Sequence, residues 1–207
     1  MGVKAKFKSG DIFRIPLPNG LGYAFAKGIL LSEWYPDIDY PVLLKIYNKR
    51  ESSKLLDLSF IEQEELILEP LLVAGINSVI GKDKWEIVTN VQLDISDHII
   101  PDYKYFEPSN STDETKAQRW FYIKDANING KKKSTYENVK HLELFGAIGV
   151  SLLPIKVCIA LLKNEGLQPS NFFKLDSFVE QQFYREVSQI EPYYKQSLAL
   201  QGKAIQL

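Results

Sequence analysis

Few side chains in this sequence are suited to metal binding or acid–base catalysis. The chain has two histidines, His98 and His141, which lie far apart and match no ligand motif such as HExxH. Asp94, Asp97 and Asp102 surround His98 and could supply oxygen ligands to a metal, but such a run is also typical of a solvated loop. We expect the loop and no bound metal, because a hydrolytic zinc or two-metal centre normally needs more imidazole ligands.

Motifs for covalent catalysis and nucleotide binding are missing from the sequence. No Gly-x-Ser-x-Gly elbow is present to expose a serine at a strand-to-helix turn. The single cysteine, Cys158, lies in an aliphatic run, where burial raises the pKa of a thiol and makes it a poor nucleophile. Neither a Gly-x-Gly-x-x-Gly fingerprint nor a P-loop occurs to hold phosphate. We therefore predict no catalytic residue, no cofactor and no enzyme activity.

Aromatic side chains beside acids are the candidates for a binding surface. Tyr35 precedes Asp37 and Asp39, and Asp102 precedes Tyr103, in segments that have the composition of loops. Amphipathic rings next to carboxylates suit a protein interface, particularly with a basic partner. We predict that these five residues are exposed and contact a partner protein, whereas aromatic residues within strands belong to the core.

The charge balance indicates which partners to expect. Lysine and arginine number 25 against 26 acidic residues, so neither nucleic acid nor an anionic membrane is expected to bind, since both reward a basic excess. Lys131–Lys133 is expected to be a solvated turn that could steer an acidic partner. A single cysteine allows no intramolecular disulfide, and we find neither a secretory-type leader nor an apolar stretch long enough to span a bilayer. We therefore expect a cytoplasmic protein.

The first elements of the chain are predicted to be strands. Segment 8–28 contains two short strands joined by the turn Pro18-Asn19-Gly20, and Pro16 marks an edge strand or a strand end. Further short apolar runs occur at 41–47 and 85–90, whereas 55–72 is ambiguous between helix and strand. Short strands separated by turn signals favour a curled, mostly antiparallel sheet or a small barrel.

Helical periodicity begins after residue 149. Pro154 is placed as a first-turn proline in a buried helix that stops near Gly166, and a second helix follows Ser177 and ends near Pro192. Before these helices, 107–118 is predicted to be a polar loop, after which the sheet resumes through a hairpin at Asn129-Gly130. We predict an α+β fold with one domain over 1–207, β-rich over 1–148 and helical over 149–207.

One motif near the beginning of the chain carries a family resemblance. Its residues are Lys8, Gly10, Asp11, Phe13, Ile15, Pro16 and Leu17, in the pattern K-x-G-D-x-F-x-I-P-L. With segments 85–90 and 100–103, this motif resembles the immunity protein 26 family. The resemblance implies a small β-rich bacterial protein, encoded beside a polymorphic toxin, that binds and neutralises that toxin without catalysis. The motif residues Gly10, Asp11, Phe13, Ile15 and Pro16 are expected to determine the fold rather than to contact the toxin.

Two other functions stay open at this point. The family name is often coupled to a phosphotriesterase label, which would imply a metal-dependent hydrolase, and the two histidines fit such a centre poorly. The third possibility is a non-catalytic scaffold domain whose aromatic residues all belong to the core. Segment 149–207 carries no motif of the family, and the sequence assigns it no function.

Overall fold

The computed structural model describes residues 6–35, 42–52, 58–63, 65–81, 84–108 and 117–202. Within these ranges short strands dominate the first two thirds of the chain, and the two longer helices follow them. The strands are β1 (Asp11–Pro16), β2 (Tyr23–Leu30), β3 (Val42–Glu51), β4 (Leu71–Ala74), β5 (Glu86–Asn90), β6 (Tyr103–Pro108), β7 (Ala117–Ile123), β8 (Lys132–Ser134) and β9 (Ile148–Gly149). The helices are α1 (Phe60–Gln63), α2 (Tyr136–Val139), α3 (Leu153–Asn164) and α4 (Phe178–Gln189).

The strands form two sheets that curl but do not close. The first has the order β5-β1-β2-β3-β4-β9 and is antiparallel except where β4 pairs with β9 in parallel. The second is the antiparallel sheet β6-β7-β8. The predicted α+β class with C-terminal helices is therefore confirmed, and of the two arrangements considered the curled sheet is the one formed.

The family-like motif builds β1, the first strand of the β1–β2 hairpin within the first sheet. Phe13 and Ile15 are fully buried, because alternate residues of β1 face the core shared with α3. Pro16 is the last residue of β1, where its missing N–H costs no internal ladder bond. Since β1 pairs with both β2 and β5, Pro16 marks a strand end and not an edge strand.

Gly10 and Asp11 form the turn that leads into β1. Gly10 has φ +88°, and a Cβ atom there would lie 2.1 Å from the carbonyl oxygen of Val91, so only glycine fits without displacing backbone. The Asp11 carboxylate accepts a hydrogen bond from the backbone N–H of Lys8 at 2.9 Å and another from Asn90 at 2.9 Å. Asp11 thus holds the turn against the end of β5.

Helix α3 covers one face of the first sheet, and α4 packs against α3. Leu153, Val157 and Leu161 of α3 are buried in the largest apolar cluster, together with Ala24 and Ala26 of β2, whose small side chains permit close packing. A proline occupies the first turn of α3, and Ser177 caps α4 by accepting a hydrogen bond from the Glu180 N–H at 3.1 Å. Both predicted helices are confirmed, and in the described residues no helix is long and apolar enough to cross a membrane.

The structure defines several local features more closely than the sequence does. The second strand of segment 8–28 continues to Leu30, and a 3₁₀ turn follows it. The ambiguous segment 55–72 contains the short helix α1 and, at its end, the beginning of β4. The predicted loop 107–118 is too long at both ends, because its flanks pair as β6 and β7; its central residues, 109–116, lie outside the described ranges.

Candidate functional site

An exposed apolar surface lies at the short 3₁₀ turn Ile95–His98 and the residue that ends it, Ile99; we call these five residues the isoleucine turn. The side chains of Ile95 and Ile99 are 86% and 59% exposed, and Leu198, which lines a cavity with Ile99, is 82% exposed. Tyr35 is also exposed, and its hydroxyl lies 3.5 Å from the carbonyl oxygen of His98. Ile99 and Leu198 line the same cavity, and Ile95 begins the turn that Ile99 ends, so this part of the exposed surface is a candidate for interaction with a partner.

The fully buried carboxylate of Asp97 ties the isoleucine turn to itself and to the sheet. Asp94 and Asp97 form a reciprocal capping box, in which Asp94 accepts from the Ser96 N–H at 2.6 Å and Asp97 accepts from the Asp94 N–H at 3.0 Å. Asp97 also accepts hydrogen bonds from the ammonium groups of Lys27 at 2.9 Å and Lys45 at 2.6 Å. Asp97 therefore does not belong to a solvated loop as predicted, because two lysines of the sheet draw it inside.

The two lysines that bind Asp97 lie directly opposite each other on neighbouring strands. Lys27 of β2 pairs in register with Lys45 of β3, and both are buried. Like charges at such a position repel each other, and the bridging carboxylate offsets the repulsion. Burial alone would raise the pKa of Asp97, but the hydrogen bonds from Lys45 and Lys27 outweigh it and lower the pKa below its ordinary value. The sequence signal for this arrangement is a lysine within an otherwise apolar run of each strand, Lys27 in β2 and Lys45 in β3.

The predicted contact residues lie in different environments. Tyr35 belongs to the exposed surface, whereas Asp37 and Asp39 lie outside the described residues. The expectation that Asp102 and Tyr103 are exposed is wrong. Asp102 accepts hydrogen bonds from the Tyr122 hydroxyl at 2.9 Å and from a backbone N–H, and the Tyr103 hydroxyl donates to a buried carbonyl. Both are buried because they stand where β6 enters the core between the sheets. Partner contact by these five residues stays a prediction.

A second group of buried charges lies between the sheet and the helices. Lys156 of α3 donates hydrogen bonds to the carboxylates of Glu143 and Glu186, and Glu186 belongs to α4. Glu69 accepts a hydrogen bond from the Glu143 N–H at 2.7 Å. Burial, reinforced by the neighbouring Glu143 carboxylate, raises the pKa of Glu69 well above its ordinary value. These contacts tie α3 and α4 to the segment that precedes them.

Cys158 and His98 lie in different surroundings, one in the core and the other on the surface. Cys158 is fully buried in the largest apolar cluster, and burial raises the pKa of its thiol to about 12, as its aliphatic neighbours in the sequence predicted. The His98 ring lies 4.3 Å from the ring of Trp34, on the exposed surface. Within the described part of the chain, no group of three or more His, Cys, Asp or Glu side chains is placed to hold a metal ion.

A comparison with protein-family models matches residues 8–115 to the family described as immunity protein 26. This chain belongs to the immunity protein 26 family. Comparisons with curated proteins and with solved structures gave no significant match. The segment that matches the immunity protein 26 family includes the motif hairpin and the isoleucine turn, whereas α3, α4 and Leu198 lie beyond it.

Proposed function

We propose that this chain is a cytoplasmic immunity protein that binds a cognate bacterial toxin and blocks it without any catalysis of its own. The observation that carries the proposal is the match of residues 8–115 to the immunity protein 26 family. The contact surface in this proposal is the isoleucine turn with Tyr35 and Leu198. Such a surface acts by covering the toxin's active site or its substrate path.

The character of the surface supports binding to a protein. Ile95, Ile99 and Leu198 would gain free energy on leaving water, at about 25 cal/mol for each Å² of apolar area buried. Tyr35 adds a rigid ring with a polar end, which is common among the residues that dominate interfaces. Because Asp97 fixes the turn internally, the surface loses little conformational entropy when it binds.

The proposal is tested with the toxin encoded beside this chain. Co-expression should protect cells from the toxin, and a pull-down should recover a one-to-one complex. Ile95→Asp and Ile99→Asp should each weaken binding about tenfold or more, because each places a charge at the centre of an apolar contact. Leu167→Asp is the matched control, since Leu167 is also an exposed apolar residue but follows α3, outside this surface. Co-expression that leaves the toxin fully active would contradict the proposal.

A further inference from the structure

A cavity of about 460 Å³ opens beside the isoleucine turn, and we propose that it receives an acidic side chain of the bound toxin. We call it the lysine cavity, because Lys27 and Lys45 belong to its lining. The inference rests on the proposed function and adds to it the chemistry of the partner's anchor residue. The anchor is an aspartate or glutamate, which places its carboxylate near the two lysines and its stem against the apolar wall.

The lysine cavity is continuous with the exposed surface. Ser96 and Ile99 of the isoleucine turn form one side of it, and Leu198 lies on its lining as well as on the proposed contact surface. Much of the remaining wall is apolar or aromatic, contributed by Leu66, Pro70, Pro101, Tyr193 and Tyr194. A partner that covers Ile99 and Leu198 would therefore also cover the cavity and could insert a side chain into it.

Lys45 supplies the most specific reason to expect an anion. Its ammonium group donates to the Ser96 hydroxyl at 2.9 Å and to Asp97 at 2.6 Å, and its side chain is 8% exposed. A lysine ammonium has three N–H donors. Among the described residues these two bonds use two of the donors, so one N–H is available to an oxygen that enters the cavity. A carboxylate there would accept a charge-assisted hydrogen bond in surroundings largely shielded from water.

Two buried lysines that share one carboxylate contribute little to the stability of the fold compared with apolar residues in the same places. Replacing a buried ion pair by well-packed apolar residues is often neutral or stabilising, and here two lysines face each other across neighbouring strands. The Asp97 carboxylate accepts a hydrogen bond from each ammonium group and thereby positions both. Glu65 is the acid on the cavity lining, and its carboxylate accepts a hydrogen bond from Asn48 at 3.3 Å. The inference is confined to a single carboxylate, because a polyanion such as nucleic acid would meet both Glu65 and the apolar wall.

The test is a double-mutant cycle between the full-length chain and its toxin, with the Kd measured by calorimetry. On this chain the variant is Lys45→Met, which keeps the length of the side chain and removes its charge. Lys132→Met is the matched control, because Lys132 is an exposed lysine on β8 in the other sheet. On the toxin, each surface Asp and Glu is changed in turn to Asn or Gln. Near-ultraviolet circular dichroism verifies that each variant is folded.

One toxin carboxylate should then stand out. Its removal should weaken binding of the unmodified chain at least tenfold but binding of Lys45→Met less than twofold, while Lys132→Met binds like the unmodified chain. If Lys45→Met fails to fold, the toxin scan against the unmodified chain decides alone. If the toxin binds tightly and no single Asp or Glu substitution on it raises the Kd more than threefold, this inference is overturned and the proposed function still stands. A toxin that does not bind at all overturns both.

Discussion

Asp97 is a single buried carboxylate that joins the isoleucine turn to the two lysines of the sheet. Asp97→Asn would leave Lys27 and Lys45 facing each other without the negative charge between them. We expect this substitution to lower the free energy of unfolding by about 3–5 kcal/mol, as is typical when one partner of a buried ion pair is removed. Urea denaturation measures the change. Asp94→Asn is the control, because Asn caps a helix as well as Asp and the Asp94 side chain is exposed.

The pH dependence of stability should identify the same residue. Because the pKa of Asp97 is lower in the folded protein than in the unfolded chain, its contribution is fully present above the unfolded pKa and is lost as the pH falls through the folded value. Stability should therefore fall in acid, and the fall should be smaller in Asp97→Asn. Thermal melts across that acid range measure both proteins. Equal slopes for the two would contradict the lowered pKa.

Glu69 should show the opposite behaviour. Its pKa is raised by burial, so above the ordinary glutamate pKa the folded state holds a proton that the unfolded chain has released, and stability falls as the pH rises. Glu69→Gln removes this penalty and keeps an oxygen to accept the Glu143 N–H bond. We expect Glu69→Gln to be more stable than the unmodified protein at pH 8, and the difference to shrink at pH 4. Denaturant melts at both values measure it.

The sequence predicts whether a residue is buried when the cause lies in its neighbours along the chain. It does not do so when the cause is a residue far away in the sequence. The burial of Phe13 and Ile15 follows from the apolar pattern of their own strand, which is a local property of the sequence. Ile95 and Ile99 are apolar, and nothing in their neighbourhood along the chain indicates that both remain in water. The burial of Lys27 and Lys45 depends on Asp97, about 50 residues or more away, so no local pattern could reveal it.

At the scale of elements, the family motif makes a prediction about the turn before β1. Gly10→Ala should cost roughly 3 kcal/mol or more, because the added Cβ meets the Val91 carbonyl and the residue must keep a positive φ. Gly20→Ala separates the cost of the positive φ from the cost of the clash with backbone. Gly20 has φ +69° but open space around it, so its cost should be about 1–2 kcal/mol. Chemical denaturation compares them, and equal costs would show that close approach to β5 is unimportant.

Elements with a strong local pattern were predictable, and short pairings were not. The β1–β2 hairpin, α3 and α4 each have a turn, a cap or an apolar period that is visible in the sequence. The pairing of β4 with β9 joins segments about 75 residues apart through two residue pairs. A two-residue strand has no period to detect, and its position follows from the packing of the whole molecule.

At the scale of the whole molecule, the core crosses the boundary of the family match. The largest apolar cluster combines residues of β1, β2 and β3 with residues of α3, and Arg50 of β3 donates hydrogen bonds to Glu165 just after α3. We predict that the fragment 1–116 does not fold by itself, because it would expose the face that α3 covers. Circular dichroism melts test this against the full chain. A cooperative melt of the fragment would contradict the prediction that 1–207 is a single domain.

The burial of Cys158 has a practical consequence for measuring the proposed complex. Because its thiol is enclosed by α3 and the sheet and its pKa is raised to about 12, maleimide reagents should leave it unmodified in the folded state. A cysteine introduced by Ile95→Cys would then take a fluorescent label at one defined point without removal of the native thiol. Emission from that label would change if a toxin covers it, so association could be followed in real time on the proposed contact surface.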